Sequence, residues 1–94
     1  MVIINKAGTE TLAIQILEYL AGDGEQLQRF MALTGIEIDD IRQMSGTPEL
    51  SVALFDYILG NEPTLLSFTS ERAIAPESIL KARHFLEPPI ESSM

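Results

Sequence analysis

Apolar residues recur along this chain at the three-and-four spacing of a helix, and each run is cut by glycine, proline or a capping residue. No convincing period of two, the signature of a half-buried strand, occurs anywhere. An all-α fold follows. With 94 residues there is room for one modest core and not for two independent ones.

The punctuation predicts six helical segments. Thr9 can cap a first helix running to about Ala21, with Leu12, Ile16, Tyr19 and Leu20 on one face and Gly22 as its stop. Asp23, with Gln26 following at the right interval, has the form of a capping box. The helix it opens carries Leu27, Phe30, Met31 and Leu33, and Gly35 supplies a left-handed end. A short third helix is expected from Ile38 to Ser45, with Asp39 and Asp40 in its first turn, where the dipole favours negative charge. Thr47-Pro48-Glu49 is a strong start signal for a fourth, through Val52, Leu54, Phe55, Tyr57, Ile58 and Leu59 to Gly60. Asn61-Glu62-Pro63 opens a fifth, with Leu65, Leu66 and Phe68 as its apolar residues. Pro76-Glu77 opens a sixth, through Ile79, Leu80, Phe85 and Leu86, with Lys81, Arg83 and His84 toward its C-terminal end. Glu87-Pro88-Pro89 then stops any helix. The expected organisation is a leader over 1–8, one helical domain over 9–86 and a flexible tail over 87–94.

Sliding the chain by 38 positions aligns its two halves without a gap. Thr9 falls on Thr47, Leu12 on Leu50, Tyr19 on Tyr57, Gly22 on Gly60, Leu27 on Leu65, Phe30 on Phe68, Ile36 on Ile74 and Ile41 on Ile79. These identities fall on caps, stops and core positions, where a shared backbone requires shared residue types. The reading is two stacked three-helix units, over 9–45 and 47–86, each needing the other to bury its apolar face. The first and fourth helices are apolar around most of their circumference, with polar residues confined to Thr11, Gln15 and Glu18 in one and Glu49 and Asp56 in the other. Such helices belong at the centre of a bundle or in an interface.

Composition removes whole classes of function. The chain has no cysteine, which excludes disulfides, thiolate zinc sites, iron–sulfur clusters and cysteine nucleophiles. A single histidine excludes multi-histidine metal sites. Mean hydropathy of +0.16 is too high for disorder, and no apolar run reaches the roughly 18 residues that span a bilayer. Val2, Ile3 and Ile4 are cut short by Asn5, Lys6 and Gly8, so no signal peptide is expected and a cytoplasmic setting is. The formal charge is −8.

Each chemically suggestive group has a plainer explanation. The turn over Met31–Ile38 has the rhythm of a DNA-reading helix-turn-helix. Its reading helix, however, offers Asp39 and Asp40 against one base, Arg42, whereas phosphate contacts need Lys and Arg. Glu37, Asp39 and Asp40 lack the spaced ligands and central glycine of a calcium loop. His84 has no companion histidine or nucleophile turn, and its place near a helix C-terminus accounts for it. Ser45, Ser51, Ser67 and Ser70 have no evident activating partner. Gly22-Asp23-Gly24-Glu25 has neither the glycine spacing nor the lysine of a phosphate loop. Tyr19 and Tyr57 could mark a shared ligand surface, but such rings commonly pack in the core with the hydroxyl at the rim. No catalytic, cofactor-binding or metal residues are therefore assigned.

The stretches Leu12-Ala13-Ile14-Gln15, Gln28–Ile36 and Leu54-Phe55-Asp56-Tyr57-Ile58-Leu59 resemble a family of small, functionally uncharacterised bacterial proteins found mainly in alphaproteobacteria. The most specific part is the Arg-Phe-x-x-Leu-Thr-Gly run from Arg29 to Gly35, and Ile38 stands where members usually carry proline. The resemblance implies an intracellular helical domain and brings no catalytic residues. The expected function is a protein-binding or scaffold module, with homo-oligomers possible and neither nucleic acid nor membrane as partner. A helix-turn-helix-like regulator and a small enzyme are the alternatives.

Overall fold

Asn5 starts the first helix. Its side-chain oxygen accepts the amide of Gly8 at 2.7 Å, and the chain turns helical at the next residue. The computed structural model describes residues 5–86, and among these lie six helices: α1 (Lys6–Ala21), α2 (Gly24–Thr34), α3 (Ile38–Met44), α4 (Pro48–Leu59), α5 (Glu62–Arg72) and α6 (Pro76–Phe85). No strand occurs among the described residues. The Val2–Ile4 segment and the tail over 87–94 lie outside them.

The helix starts hold two corrections. Thr9 does not cap α1, because Asn5 has already taken that role one turn earlier. Thr9 is instead buried inside the helix, and residues 6–8, read as leader, belong to α1. Asp23 caps α2 as expected but reaches the amide of Glu25 at 3.2 Å, while Gln26 turns inward rather than closing a capping box. Thr47 caps α4 through the amide of Leu50, and Pro48 occupies the first turn as its fixed φ favours. Asp40 accepts the amide of Glu37 at 3.0 Å and so closes the first turn of α3.

α1 and α4 pack against each other at the centre, and α6 lies across both. α2 leans on α1, α5 on α4, and α3 reaches mainly α4. The core joins Leu12, Ile16 and Leu20 of α1 to Leu50, Leu54, Phe55 and Ile58 of α4, with Phe30, Phe68, Ile79 and Ala82 closing it from the outer helices. Leu27 and Leu65 pack against its edge, half-buried rather than enclosed. Leu33, read as a core residue of α2, is 71% exposed. Leu66, Leu80 and Phe85 are likewise exposed, since each helix has one inner face and their positions fall off it.

Helix ends show where backbone geometry constrains residue type. Gly35 ends α2 at φ +76°, and Ala73 ends α5 at φ +55°, the left-handed conformation in both cases. A side chain at that conformation costs about 1 kcal/mol or more. Ala73→Gly is expected to raise stability by about 0.5–1 kcal/mol, the relief being partly offset by unfolded-state entropy. Gly35→Ala should lower it by about as much. Thermal melts of the two variants should therefore move in opposite directions.

A second pair tests the inner face of α2. Phe30 is fully buried, so Phe30→Ala should cost about 3–5 kcal/mol in denaturant melts. Leu33→Ala on the same helix should stay within about 0.5 kcal/mol.

Candidate functional site

The two tyrosines sit near the ends of α1 and α4 and point across the domain. The Tyr19 ring meets Phe68 of α5 edge-on at 5.4 Å and 71°, and its hydroxyl donates to Ser67 Oγ at 2.7 Å. The Tyr57 ring meets Phe30 of α2 edge-on at 5.5 Å and 89°, and its hydroxyl donates to Gln26 Oε1 at 2.9 Å. Thr64 Oγ1 donates to the same Gln26 oxygen at 3.4 Å. Both rings therefore serve packing, with the hydroxyl satisfied at the rim.

A shallow cleft opens beside each tyrosine. One is walled by Asp56, Tyr57, Gly60 and Asn61 on one side and by Leu33 and Thr34 on the other. The second is walled by Glu18, Tyr19, Gly22 and Asp23, facing Glu71 and Arg72. Arg72 lies 3.8 Å from Glu18 and 3.8 Å from Glu71, with its guanidinium 5.9 Å from the centre of the Phe68 ring. Arg83 of α6 binds Asp56 more closely, Nε to Oδ1 at 2.7 Å.

The third concavity is the most apolar. Ala13, Ile14 and Leu17 of α1 face Leu50 and Leu54 of α4, Ser45 and Gly46 close one end, and Glu10 stands at the edge. Its volume is about 100 Å³. Ile14 is 56% exposed at its lip. The sequence held a trace of this groove, because Ile14 lies between Thr11 and Glu18 on the stripe of α1 that should be polar. The wall from α4 and the floor at Gly46 had no such trace.

The other chemically suggestive groups are dispersed. The helix-turn-helix-like turn is held locally: Thr34 Oγ1 donates to the Phe30 carbonyl at 2.8 Å and accepts the Ile36 amide at 3.2 Å. α3 after it has seven residues, buries none of them and exposes Asp39 and Arg42. Ser51 is buried in α4, Ser67 accepts from Tyr19, and Ser45 belongs to the groove. Among the described residues no three His, Asp or Glu side chains gather where they could hold a metal ion.

The hydroxyl contacts make a graded test. Tyr57 is buried, and Tyr57→Phe would leave the Gln26 oxygen with only the long bond from Thr64, so a loss of about 1 kcal/mol is expected. Tyr19→Phe removes a bond at the exposed rim and should cost less than half as much in parallel urea melts.

No curated protein and no solved structure matches this chain. A family model does, and it covers the whole six-helix domain, including the Arg29–Gly35 run that carries the buried Phe30 and the left-handed end of α2. That model, described as a protein of unknown function (DUF3572), matches residues 6–89, and the chain belongs to this family.

Proposed function

We propose that this domain is a protein-binding module assembled from two copies of one three-helix unit, and that it is neither an enzyme nor a reader of nucleic acid. The observation that carries the binding role is the apolar groove between α1 and α4, with Ile14 standing half out of it on a chain of charge −8. An apolar patch inside a charged surface is the usual form of a site that trades water for a partner. Among the groups the sequence singled out, Asp23 and Thr47 serve caps, Tyr19 and Tyr57 packing, and Asp56 an ion pair with Arg83, roles that call for no catalysis.

Reciprocal contacts support the two-copy reading. Tyr19 packs on Phe68, and shifting both halves of that pair by 38 positions gives Tyr57 on Phe30, which is the other ring pair. The clefts obey the same shift: Asp56, Tyr57, Gly60 and Asn61 with Leu33 and Thr34 become Glu18, Tyr19, Gly22 and Asp23 with Glu71 and Arg72. So do the left-handed helix ends at Gly35 and Ala73. Contacts that exchange in this way are those of a two-fold interface.

Charge supports the choice of partner class. Phosphate repels this surface, and two of its six basic residues, Arg72 and Arg83, already face acids within the domain. No helix among the described residues is long and apolar enough to cross a membrane. A cytoplasmic setting goes with the same reading, since a chain without cysteine gains nothing from an oxidising compartment. Affinity capture from the source cell, beside a duplex titration in low salt, tests the proposal. A stoichiometric protein partner and no duplex binding are expected. Specific micromolar duplex binding, or a bound metabolite in native mass spectra in place of a protein, would overturn it.

A further inference from the structure

We infer that the groove between α1 and α4 seats one aliphatic side chain from a basic amphipathic helix of another protein. The inference rests on the two-copy reading above, because the opposite side of the domain carries the same seat already filled. Moving Ala13, Ile14 and Leu17 forward by 38 positions gives Ser51, Val52 and Phe55 of α4. There Phe55 is fully buried, and α6 lies across α4 and α1 with Ile79 and Ala82 fully buried beneath it.

The groove is what remains where the corresponding material is missing. α3 ends at Met44, and the chain turns through Gly46 at φ +83° so that Thr47 can cap α4. Ser45 and Gly46 therefore stand where the other side has Arg83 and His84, and Leu17 stands for Phe55. α3 buries none of its residues. An incoming helix can supply what α6 supplies on its own side.

Size and charge define that helix. At about 100 Å³ the groove has room for one branched aliphatic anchor. α1 carries Glu10 at the groove edge and Glu18 one turn beyond Ile14, against Lys6 alone. Arg83 on Asp56, at 2.7 Å, is the internal precedent for a base on this part of the helix. Glu18, the counterpart of Asp56, is 63% exposed and meets Arg72 only at 3.8 Å. An acidic segment, or a second copy at charge −8, is repelled by the same surface.

The test is fluorescence polarisation with a labelled, designed amphipathic peptide that presents isoleucine on its apolar face and Lys and Arg at the flanks. The basic peptide should bind at low salt. An otherwise identical peptide flanked by Glu, and one with the anchor isoleucine changed to Ala, should each bind at least tenfold more weakly. Leu17→Phe, which fills the groove as Phe55 fills its counterpart, should abolish binding while circular dichroism stays unchanged. Ile14→Glu, at an exposed position, should do the same should Leu17→Phe fail to fold. Equal binding by the parent and folded variants overturns the inference. So does a concentration-dependent dimer that Ile14→Glu dissolves, because it names a second copy of the chain as the occupant. If the peptide fails while cell capture still yields a protein, the groove assignment falls and the module reading stands.

Discussion

Everything in this domain depends on α1 lying against α4. Each helix offers a row of side chains one turn apart: Leu12, Ile16 and Leu20 on one, Leu50, Leu54 and Ile58 on the other, all at or near complete burial. Rows at this spacing are the ridges by which helices interdigitate. Each such side chain contributes about 1.5–3 kcal/mol on burial, against a net stability of about 5–15 kcal/mol for a typical domain. Loss of one row would remove most of that margin. The outer helices add aromatic rings to the ends of this pair, and the ring contacts fix how α2 and α5 cross it.

The periodicity of the sequence made the six helices legible, because the hydrophobic rows above repeat at helical spacing and the caps and stops between them are chemically distinct. It did not reveal which of two capable residues wins a cap. Thr9 and Thr47 are identical residues 38 positions apart, yet one is buried inside a helix and the other caps one. The difference lies in what precedes them: Asn5 reaches the amide of Gly8 before Thr9 has a free amide to serve. Leu33 shows a second gap. Apolar character alone does not place a residue inside: Leu33 lies one turn beyond Phe30, in the last turn of α2, where it lines the open cleft beside Tyr57.

The candidate site was barely legible for a different reason. A groove is defined by side chains that are absent, and no residue type announces an absence. The sequence predicts a third helix as far as Ser45, whereas α3 stops at Met44 and Ser45 and Gly46 form a turn. Their consequence appears only when α3 is set beside α6: one helix ends early and buries none of its residues, while the other lies over the central pair and buries Ile79 and Ala82 completely. On the two-copy reading, one unit closed its own surface and the other kept an opening. The same divergence runs through the clefts, one lined with Leu33 and Thr34 and the other with Glu71 and Arg72.

Charge then separates what the opening can receive from what it cannot. The field of fourteen acidic and six basic residues extends about 8 Å from the surface at physiological salt, so it acts on a partner during approach. It speeds basic partners and slows acidic ones, but it supplies little binding energy once exposed charges meet in water. The energy must come from apolar contact, and the side chains around Ile14 are where that contact can form without disturbing the α1–α4 pair. On the proposed reading, steering and adhesion fall to different residues on one helix: Glu10 and Glu18 by charge, Ile14 and Leu17 by burial. A polar groove would attract basic partners without retaining them, and an apolar groove on a neutral surface would retain partners without choosing among them.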